Sequence, residues 1–570
     1  MKPRLLLMLI AFALQGCSGD ATGPSPTAPT ILSIGPNRAP PNSGPLFLIV
    51  NGKNFRDSSL VQWNGASRQT SFVDSTRLVA FISDQDVVTP ATVEIRVVNP
   101  NGERSNPVTF VIAQNAVAFG ADSVVPPCRG DASAGALVAV YFNEAVDPAS
   151  LSDTALQVLD GGTPVAGTVT YDPATKSLRF STPLPALRSY TARVSDRIWS
   201  TSRGSPAVPI VWNFTTARGA IVVLDSSGDF ASLALGTDGR PRIAYRWSEF
   251  VAFTMTLRLA TCSGDCTRRS GWATSTLDDG GGGGKVGLYA SLVADGSGGL
   301  HVAYQDLGSD AAKYARAAGG NVIVEGGGVG AFTSLAIAPT NRLHHTYYAA
   351  GDLRGATCQA SCVVQASWQL SSVDTAGNAG AFTSTAVDSS GRVHVTYFEN
   401  DGGDLRYATC AGPCSPAAWT AGIVDTAGRL GIGSSLLVDS HGVLHVTYED
   451  QTNGTVKYAT CAASCEVATN WASAVVASVA TPNADVGFYT PSLAVGPGDQ
   501  LEMAFANLLT GRYEGATCAA ACTGAGMWTV FPLSLQGAGN FRLTSLKVDG
   551  GGTRHLAWTD ADGLLKYMRY

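Results

Sequence analysis

The chain has 570 residues, too many for a single hydrophobic core, so several domains are expected. Glycine (64) and proline (28) are plentiful, while charged residues are 14% and hydrophobic ones 45%, a balance too apolar for disorder and too rich in turn formers for helix bundles. A formal net charge of −6 lacks the basic footprint of a nucleic-acid binder, which leaves an all-β protein without DNA or RNA as a partner.

Residues 1–16 carry Lys2 and Arg4 and then the apolar run Leu5 to Leu14, a signal peptide too short to span a membrane as an ordinary helix. Leu14-Gln15-Gly16-Cys17 resembles a bacterial lipobox, which implies cleavage before Cys17 and a lipid on that cysteine. Residues 17–29, with Pro24, Pro26 and Pro29, read as an extended tether. No later stretch supplies the roughly 18 apolar residues of a membrane span, so the expected address is the bacterial cell envelope, at the outer membrane, with the lipid as sole anchor. The alternative is secretion, with Cys17 inside a discarded peptide.

From 30 to 112 the pattern is strand-like: Leu46, Leu48 and Val50, then Val61 and Trp63, then Leu78, Ala80 and Ile82, then Val93, Ile95 and Val97. Such a stretch makes an immunoglobulin-like sandwich. Ile31-x-Ser33-Ile34-x-Pro36, Val50-x-Gly52-x-Asn54-Phe55, Val61-x-Trp63-Asn64-Gly65 and Val98-Asn99-Pro100-Asn101-Gly102, in that order, resemble an IPT/TIG domain, which implies a spacer or interaction module with Trp63 in the core. Residues 116–217 hold Tyr141-Phe142-Asn143-Glu144-Ala145-Val146-Asp147 and finish on Trp212-Asn213-Phe214-Thr215-Thr216. This segment resembles the bacterial Ig-like domain of surface-layer and envelope proteins. Glu144 and Asp147 fall short of the six to eight oxygens that calcium takes, so no metal is assigned, and Cys128 has no evident partner.

Residues 219–570 repeat with a period near 50, marked by Ser232, Ser291, Ser334, Ser384, Ser435, Ser492 and Ser545 at spacings of 59, 43, 50, 51, 57 and 53. After each serine come a short strand, a tight turn such as Asp388-Ser389-Ser390-Gly391, a second strand such as Val393 to Tyr397, a third such as Leu405 to Cys410, and a fourth opened by a tryptophan such as Trp419. Four strands per unit is the pattern of a propeller blade. The seventh unit stops after its third strand, and Ala220 to Leu224 supply the missing fourth. The expected fold is therefore all-β: two Ig-like β-sandwiches followed by a seven-bladed β-propeller, sealed by pairing of its two ends.

Five CxxxC pairs close the third strands: Cys262 with Cys266, Cys358 with Cys362, Cys410 with Cys414, Cys461 with Cys465 and Cys518 with Cys522. Each offers two thiols and no companion histidine where structural zinc wants four ligands, so outside the cytosol five intrablade disulfides are expected, and neither metal nor cofactor. A tryptophan follows the second cysteine by five or six residues in every case.

His301, His344, His394, His445 and His555 occupy one position of the second strand, near the blade serine. A hydrolase needs one such pair with an orienting acid, so copies in five blades read as structural, satisfying buried backbone groups, and no catalytic residue is assigned. The propeller resembles the sialidase-like or BNR-repeat superfamily, but the Asp-box Ser-x-Asp-x-Gly-x-x-Trp does not occur, which puts the glycosidase activity of that superfamily in doubt. Candidate ligand-binding residues are Phe230, Tyr289, Phe332, Phe382 and Tyr489, just before the blade serines, and Trp247, placed with Phe250 and Phe253 in the longest second-to-third connector. Aromatic rings round a propeller mouth suit a glycan or a protein hot spot. The expected protein is a monomeric, lipid-anchored envelope binding or adhesion protein; the alternative is a secreted polysaccharide hydrolase or lyase using loop carboxylates such as Glu249, Asp306 or Asp450.

Overall fold

The computed structural model describes residues 28–570, apart from 115, 127–130, 133–136, 207–208, 250–253, 282–283, 413, 415–417, 427, 484–488, 525, 538–541 and 561. Cys17, Cys128, Phe250 and Phe253 lie outside the described residues. No helix among the described residues is long and apolar enough to cross a membrane.

The first sandwich pairs a sheet of Thr30–Gly35, Leu46–Lys53, Arg77–Ile82 and Thr70–Asp74 with one of Arg38–Ala39, Val108–Ile112, Ala91–Val98, Leu60–Trp63 and Ala66–Ser67. Alternation along each strand sends Leu48, Val50, Val61, Leu78, Ala80, Ile82, Ile95 and Val97 inward, where all are fully buried, and Trp63 packs on Phe110 at 4.9 Å. The second sandwich sets Ala121–Val125, Val138–Phe142, Ser177–Ser181 and Thr168–Asp172 against Asp131–Ala132, Val211–Thr216, Ser189–Val194, Leu156–Asp160 and Thr163–Pro164. The two sandwiches are tied by Ser205 N–H to Ile34 C=O (2.7 Å), Ile34 N–H to Arg203 C=O (3.1 Å) and an Arg38–Glu144 ion pair. Glu144 thus takes part in the joint, and Asp147 caps the short helix Pro148–Ser150 by accepting Ala149 N–H. Arg218 then fastens the chain to the sixth blade, donating to the carbonyls of Leu533 and Pro532 and lying 4.4 Å over Phe531.

The C-terminal part is seven sheets. Six consist of four strands consecutive in sequence. The seventh sets Ala220–Asp225, from the start of the region, beside Leu565–Arg569 at its end, with Val222 opposite Tyr567. The ring is stitched from within by the blade serines: the Oγ atoms of Ser232, Ser291, Ser334, Ser384 and Ser435 accept the N–H of Leu292, Leu335, Thr385, Leu436 and Leu493 in the next blade, at 2.9 to 3.2 Å. Ser545 of the seventh blade takes the N–H of Leu233 in the first, at 2.8 Å, completing the circle. Ser492 instead meets Thr544 Oγ1 at 3.0 Å. Loss of one stitch leaves an N–H without its acceptor, so Ser384→Ala is expected to cost about 1–2 kcal/mol in denaturant melts; an unchanged midpoint would show that the stitch contributes nothing.

A second set of links joins five blade junctions farther out. The acid ending each fourth strand accepts a phenol from the next blade: Asp225 from Tyr245 (2.7 Å), Asp278 from Tyr304 (2.5 Å), Glu325 from Tyr347 (2.5 Å), Asp374 from Tyr397 (2.6 Å) and Asp425 from Tyr448 (2.7 Å). Arg258, Lys313, Arg354, Arg406 and Lys457 neutralise the same acids. Burial and the bonded carboxylate keep these phenols protonated well above their ordinary range. At the junction of blades five and six Ser478 and Phe505 stand where the acid and tyrosine would be, and this link is missing there.

All five CxxxC pairs are disulfide-bonded within their own blades: Cys262 to Cys266, Cys358 to Cys362, Cys410 to Cys414, Cys461 to Cys465 and Cys518 to Cys522, with Cα atoms 5.5 to 5.8 Å apart. In four of them the following tryptophan donates Nε1–H to the carbonyl of the second cysteine, at 2.7 to 3.0 Å: Trp272 to Cys266, Trp368 to Cys362, Trp471 to Cys465 and Trp528 to Cys522. These four follow that cysteine by six residues. Trp419 follows Cys414 by five, and its Nε1 has no partner among the described residues.

Candidate binding site

In blades one to four the residue two places before the serine is aromatic: Phe230, Tyr289, Phe332 and Phe382. Each sits at a break in the register between first and second strand, a bulge that turns the side chain away from the sheet and toward the propeller axis. Their φ angles are 50°, 52°, 55° and 53°, the left-handed region that glycine takes freely and bulky residues avoid. The fifth blade has Gly433 at this place, with φ 64°. Four rings in the same unfavourable conformation, at about 1–2 kcal/mol each, are held there by the structure around them, which marks them as wanted for their side chains.

The four rings form a continuous arc, with neighbouring centroids 4.8, 4.7 and 4.3 Å apart. With Gly433 and Leu543 on the remaining wall they enclose an axial cavity of about 140 Å³. Its hydroxyls are turned to the wall: Thr333 donates to Tyr289 C=O (2.6 Å), Thr383 to Phe332 C=O (2.7 Å), Ser434 to Phe382 C=O (3.1 Å) and Thr544 to Ala504 C=O (2.9 Å). What faces the lumen is therefore mostly aromatic carbon. Burial lifts the Tyr289 phenol to about 12, so it remains a donor at any physiological pH. Arg246 lies 4.9 Å over Phe230 and is held by a two-pronged ion pair with Asp229.

The other predicted residues fall elsewhere. Tyr489 stands three rather than two places before its serine; its backbone pairs with Arg542 of the seventh blade, and its side chain lies outside the described residues. Trp247 is not in a connector: the second strand of blade one extends to Glu249, and Trp247 pairs within it opposite Thr256. It is half-buried, covered by the Arg258 guanidinium at 3.9 Å, with its Nε1 enclosed and unbonded, so the ring is packed rather than displayed. The second strand of blade one is nine residues long where that of blade four is seven, a departure that the repeat pattern does not reveal. The cysteines stand apart from the cavity as well. Cys262, Cys358, Cys410, Cys461 and Cys518 each end a third strand, Cys266, Cys362, Cys414, Cys465 and Cys522 lie in the connectors that follow, and none of the ten lines the lumen.

Four of the five histidines bond to side chains rather than to backbone, while the Nδ1 of His344 has no partner among the described residues. His301, His394, His445 and His555 each join Nδ1 to the tyrosine of the third strand (Tyr314, Tyr407, Tyr458, Tyr567; 2.6 to 2.8 Å) and Nε2 to the aspartate opening the first turn (Asp295, Asp388, Asp439, Asp549; 3.1 to 3.4 Å). Burial holds His394, His445 and His555 below their ordinary range. Since each of these histidines is engaged on both nitrogens, and the serine oxygen of its blade takes an N–H of the next, Ser and His are not arranged as nucleophile and base. Asp306 accepts the N–H groups of Gly308 and Ser309, and Asp450 accepts Asn453 N and Nδ2, so both close turns of their own blades. Glu249 is exposed at its strand end.

Residues 29–112 match the IPT/TIG domain family, and 88–216 match the bacterial Ig-like domain family. No curated protein matches the chain. Among solved structures, NanB sialidase from Streptococcus pneumoniae is similar at 10% identity over 93% of this chain and 95% of its own, with a TM-score of 0.40. An auxiliary nutrient binding protein from Bacteroides thetaiotaomicron is similar at 8% identity over 95% and 97%, TM-score 0.31, and the Hadza microbial sialidase Hz136 at 12% over 69% and 75%, TM-score 0.37. None of these likenesses transfers an activity.

Proposed function

We propose that the protein is a non-catalytic binding protein of the bacterial envelope, lipid-anchored through Cys17, whose units 30–112 and 116–217 hold the propeller, 219–570, away from the membrane. The aromatic arc of Phe230, Tyr289, Phe332 and Phe382 is its recognition surface for a glycan or for a side chain of an extracellular protein. The observation that carries this reading is the placement of four bulky rings on backbone that suits glycine, as the fifth blade shows with Gly433. Rings facing an open lumen offer flat apolar surface for stacking, and rigid aromatic anchors supply most of the affinity in sites of this kind.

The test is a screen of the full chain against glycans and envelope proteins, with release of reducing sugar measured in the same samples. Phe332→Gly is the decisive variant. It relieves the left-handed strain while removing one ring, so thermal stability should change little and affinity should fall at least about tenfold. Unchanged affinity, or sugar release by the wild type, would overturn the proposal.

A further inference from the structure

The turn between first and second strand recurs in every blade, and blades five and six depart from its pattern side by side. Its third place holds Ser297 in blade two and Ser390 in blade four, whose hydroxyls donate to the aspartate opening the turn at 2.6 and 2.7 Å. Blade five alone has a histidine there, His441. The fourth place holds Gly298, Gly391, Gly442 and Gly552 in blades two, four, five and seven, with φ of 82° to 87°, whereas blade six puts Asp499 on left-handed backbone at φ 57°. The two departures meet. Nδ1 of His441 stands 2.9 Å from Asp499 Oδ2, to which Ser440 Oγ also donates at 2.7 Å. One ligand atom from each of Asp439, His441 and Asp499 lies within 4.8 Å of the other two. Asp439 is fixed in advance: its side chain is 9% exposed, Oδ1 accepts the N–H of His441 and of Val443, and Oδ2 meets His445 Nε2 at 3.2 Å, which leaves that oxygen a lone pair. His441 is 75% exposed, while the chain's other six histidines are buried. The cluster also spans a junction where Ser478 and Phe505 replace the acid and tyrosine of the outer link.

We propose that Asp439, His441 and Asp499 bind one divalent ion of the zinc class, through an imidazole nitrogen and two carboxylate oxygens with water in the remaining position, and that the ion clamps blade five to blade six. The donor set selects the class. Calcium and magnesium take shells of oxygen, six or more of them, whereas one nitrogen with two carboxylates and an open position suits zinc. Binding takes the imidazole tautomer protonated at Nε2, so that the Nδ1 lone pair faces the ion. A tetrahedral shell with bonds of ~2.1 Å needs donors roughly 3.4 Å apart, which rotation of the exposed His441 side chain supplies. His445 and the two N–H groups on Asp439, with Ser440 on Asp499, are the outer partners that orient ligating carboxylates. The site lies beyond the far end of the strand Leu430–Val438 from Gly433, which lines the axial cavity, and so does not depend on what the aromatic arc binds.

The experiment titrates the full chain, stripped of metal with a chelator, by calorimetry with zinc chloride and separately with calcium and magnesium chloride. Zinc should bind at one ion per chain with a Kd of about 10 μM or tighter, and neither of the other two should compete at about 1 mM. A hundredfold excess of zinc over its Kd should raise the melting temperature by at least about 2 °C. His441→Ser and Asp499→Gly each restore the residue that other blades carry, so both variants should fold and melt in chelator no lower than the wild type. Each should weaken zinc binding at least tenfold and abolish the zinc-induced rise in melting temperature. No saturable zinc binding up to about 1 mM, or binding that survives either substitution, would overturn the site. Calcium or magnesium binding as tightly as zinc would overturn the assigned class. Zinc binding that both substitutions abolish, with no rise in melting temperature of the wild type, would overturn the clamp. Failure of the glycan and protein screen alone would leave this result standing.

Discussion

Replacing Val222 and Val223 together by proline is expected to open the propeller ring. Successive N–H groups of a strand point to opposite sides, so one of these two donates toward the strand Leu565–Arg569, and its loss with the imposed backbone costs about 3 kcal/mol or more. Val222 is also buried among Leu224, Tyr245 and Tyr567, so the damage spreads into the seam between blades seven and one. With the fourth strand gone, Asp225 no longer holds Tyr245 and Arg258, and the seventh blade shows an open edge that pairs with other chains. The expected readings are a melt lowered by tens of degrees or no cooperative melt, and concentration-dependent association in sedimentation. Leu370→Pro with Ser371→Pro makes a matched lesion in the outer strand of blade three, which no chain end has to complete, and should cost clearly less. Equal cost in the two doubles would refute a special role for closure.

The second large effect concerns pH. His345 is fully buried with neither ring nitrogen bonded, and desolvation lowers its pKa to about 3; the neighbouring His344 is lowered to about 4, also chiefly by desolvation. In the unfolded chain both titrate near 6.5. A depressed folded pKa means that the unfolded state binds the proton first, so stability is intact above about pH 6.5 and declines as pH falls toward 3, by about 1.4 kcal/mol per pH unit for His345 alone. The equivalent place in the other blades holds Ile243, Val302, Val395, Val446, Met503 and Leu556. His345→Leu, close to histidine in volume, should therefore raise stability at pH 7 by about 1–3 kcal/mol, through loss of two orphaned polar atoms, and flatten the acid limb of the pH profile. A variant no more stable than the wild type at pH 7 and equally acid-sensitive would show that His345 has partners in solution.

The repeat made most of the propeller legible. Residues that recur from blade to blade could be assigned to scaffold before any coordinates, and the blade serines, four of the five histidines and the CxxxC pairs are bonded within the framework. What each of them bonds was not legible. A serine that links one blade to the next and a histidine held by a tyrosine and an aspartate look alike in a linear pattern, because the partner of the first lies about fifty residues away in another sheet. The outer Tyr–Asp–Arg/Lys links were missed although every member recurs, since they join consecutive units and each unit was read by itself. Trp247 was misplaced for a related reason: strand length in blade one departs from the repeat, and a repeat predicts poorly where it is broken.

By itself the sequence determined that the chain is all-β, that its N-terminal sandwiches precede a ring of seven, and which strand closes that ring, because side-chain alternation and copy number are local and countable. Only the tertiary structure decided that four of the aromatics share one lumen and that their backbone is left-handed there. Those facts belong to an axis shared by all blades, and a blade in isolation has no axis.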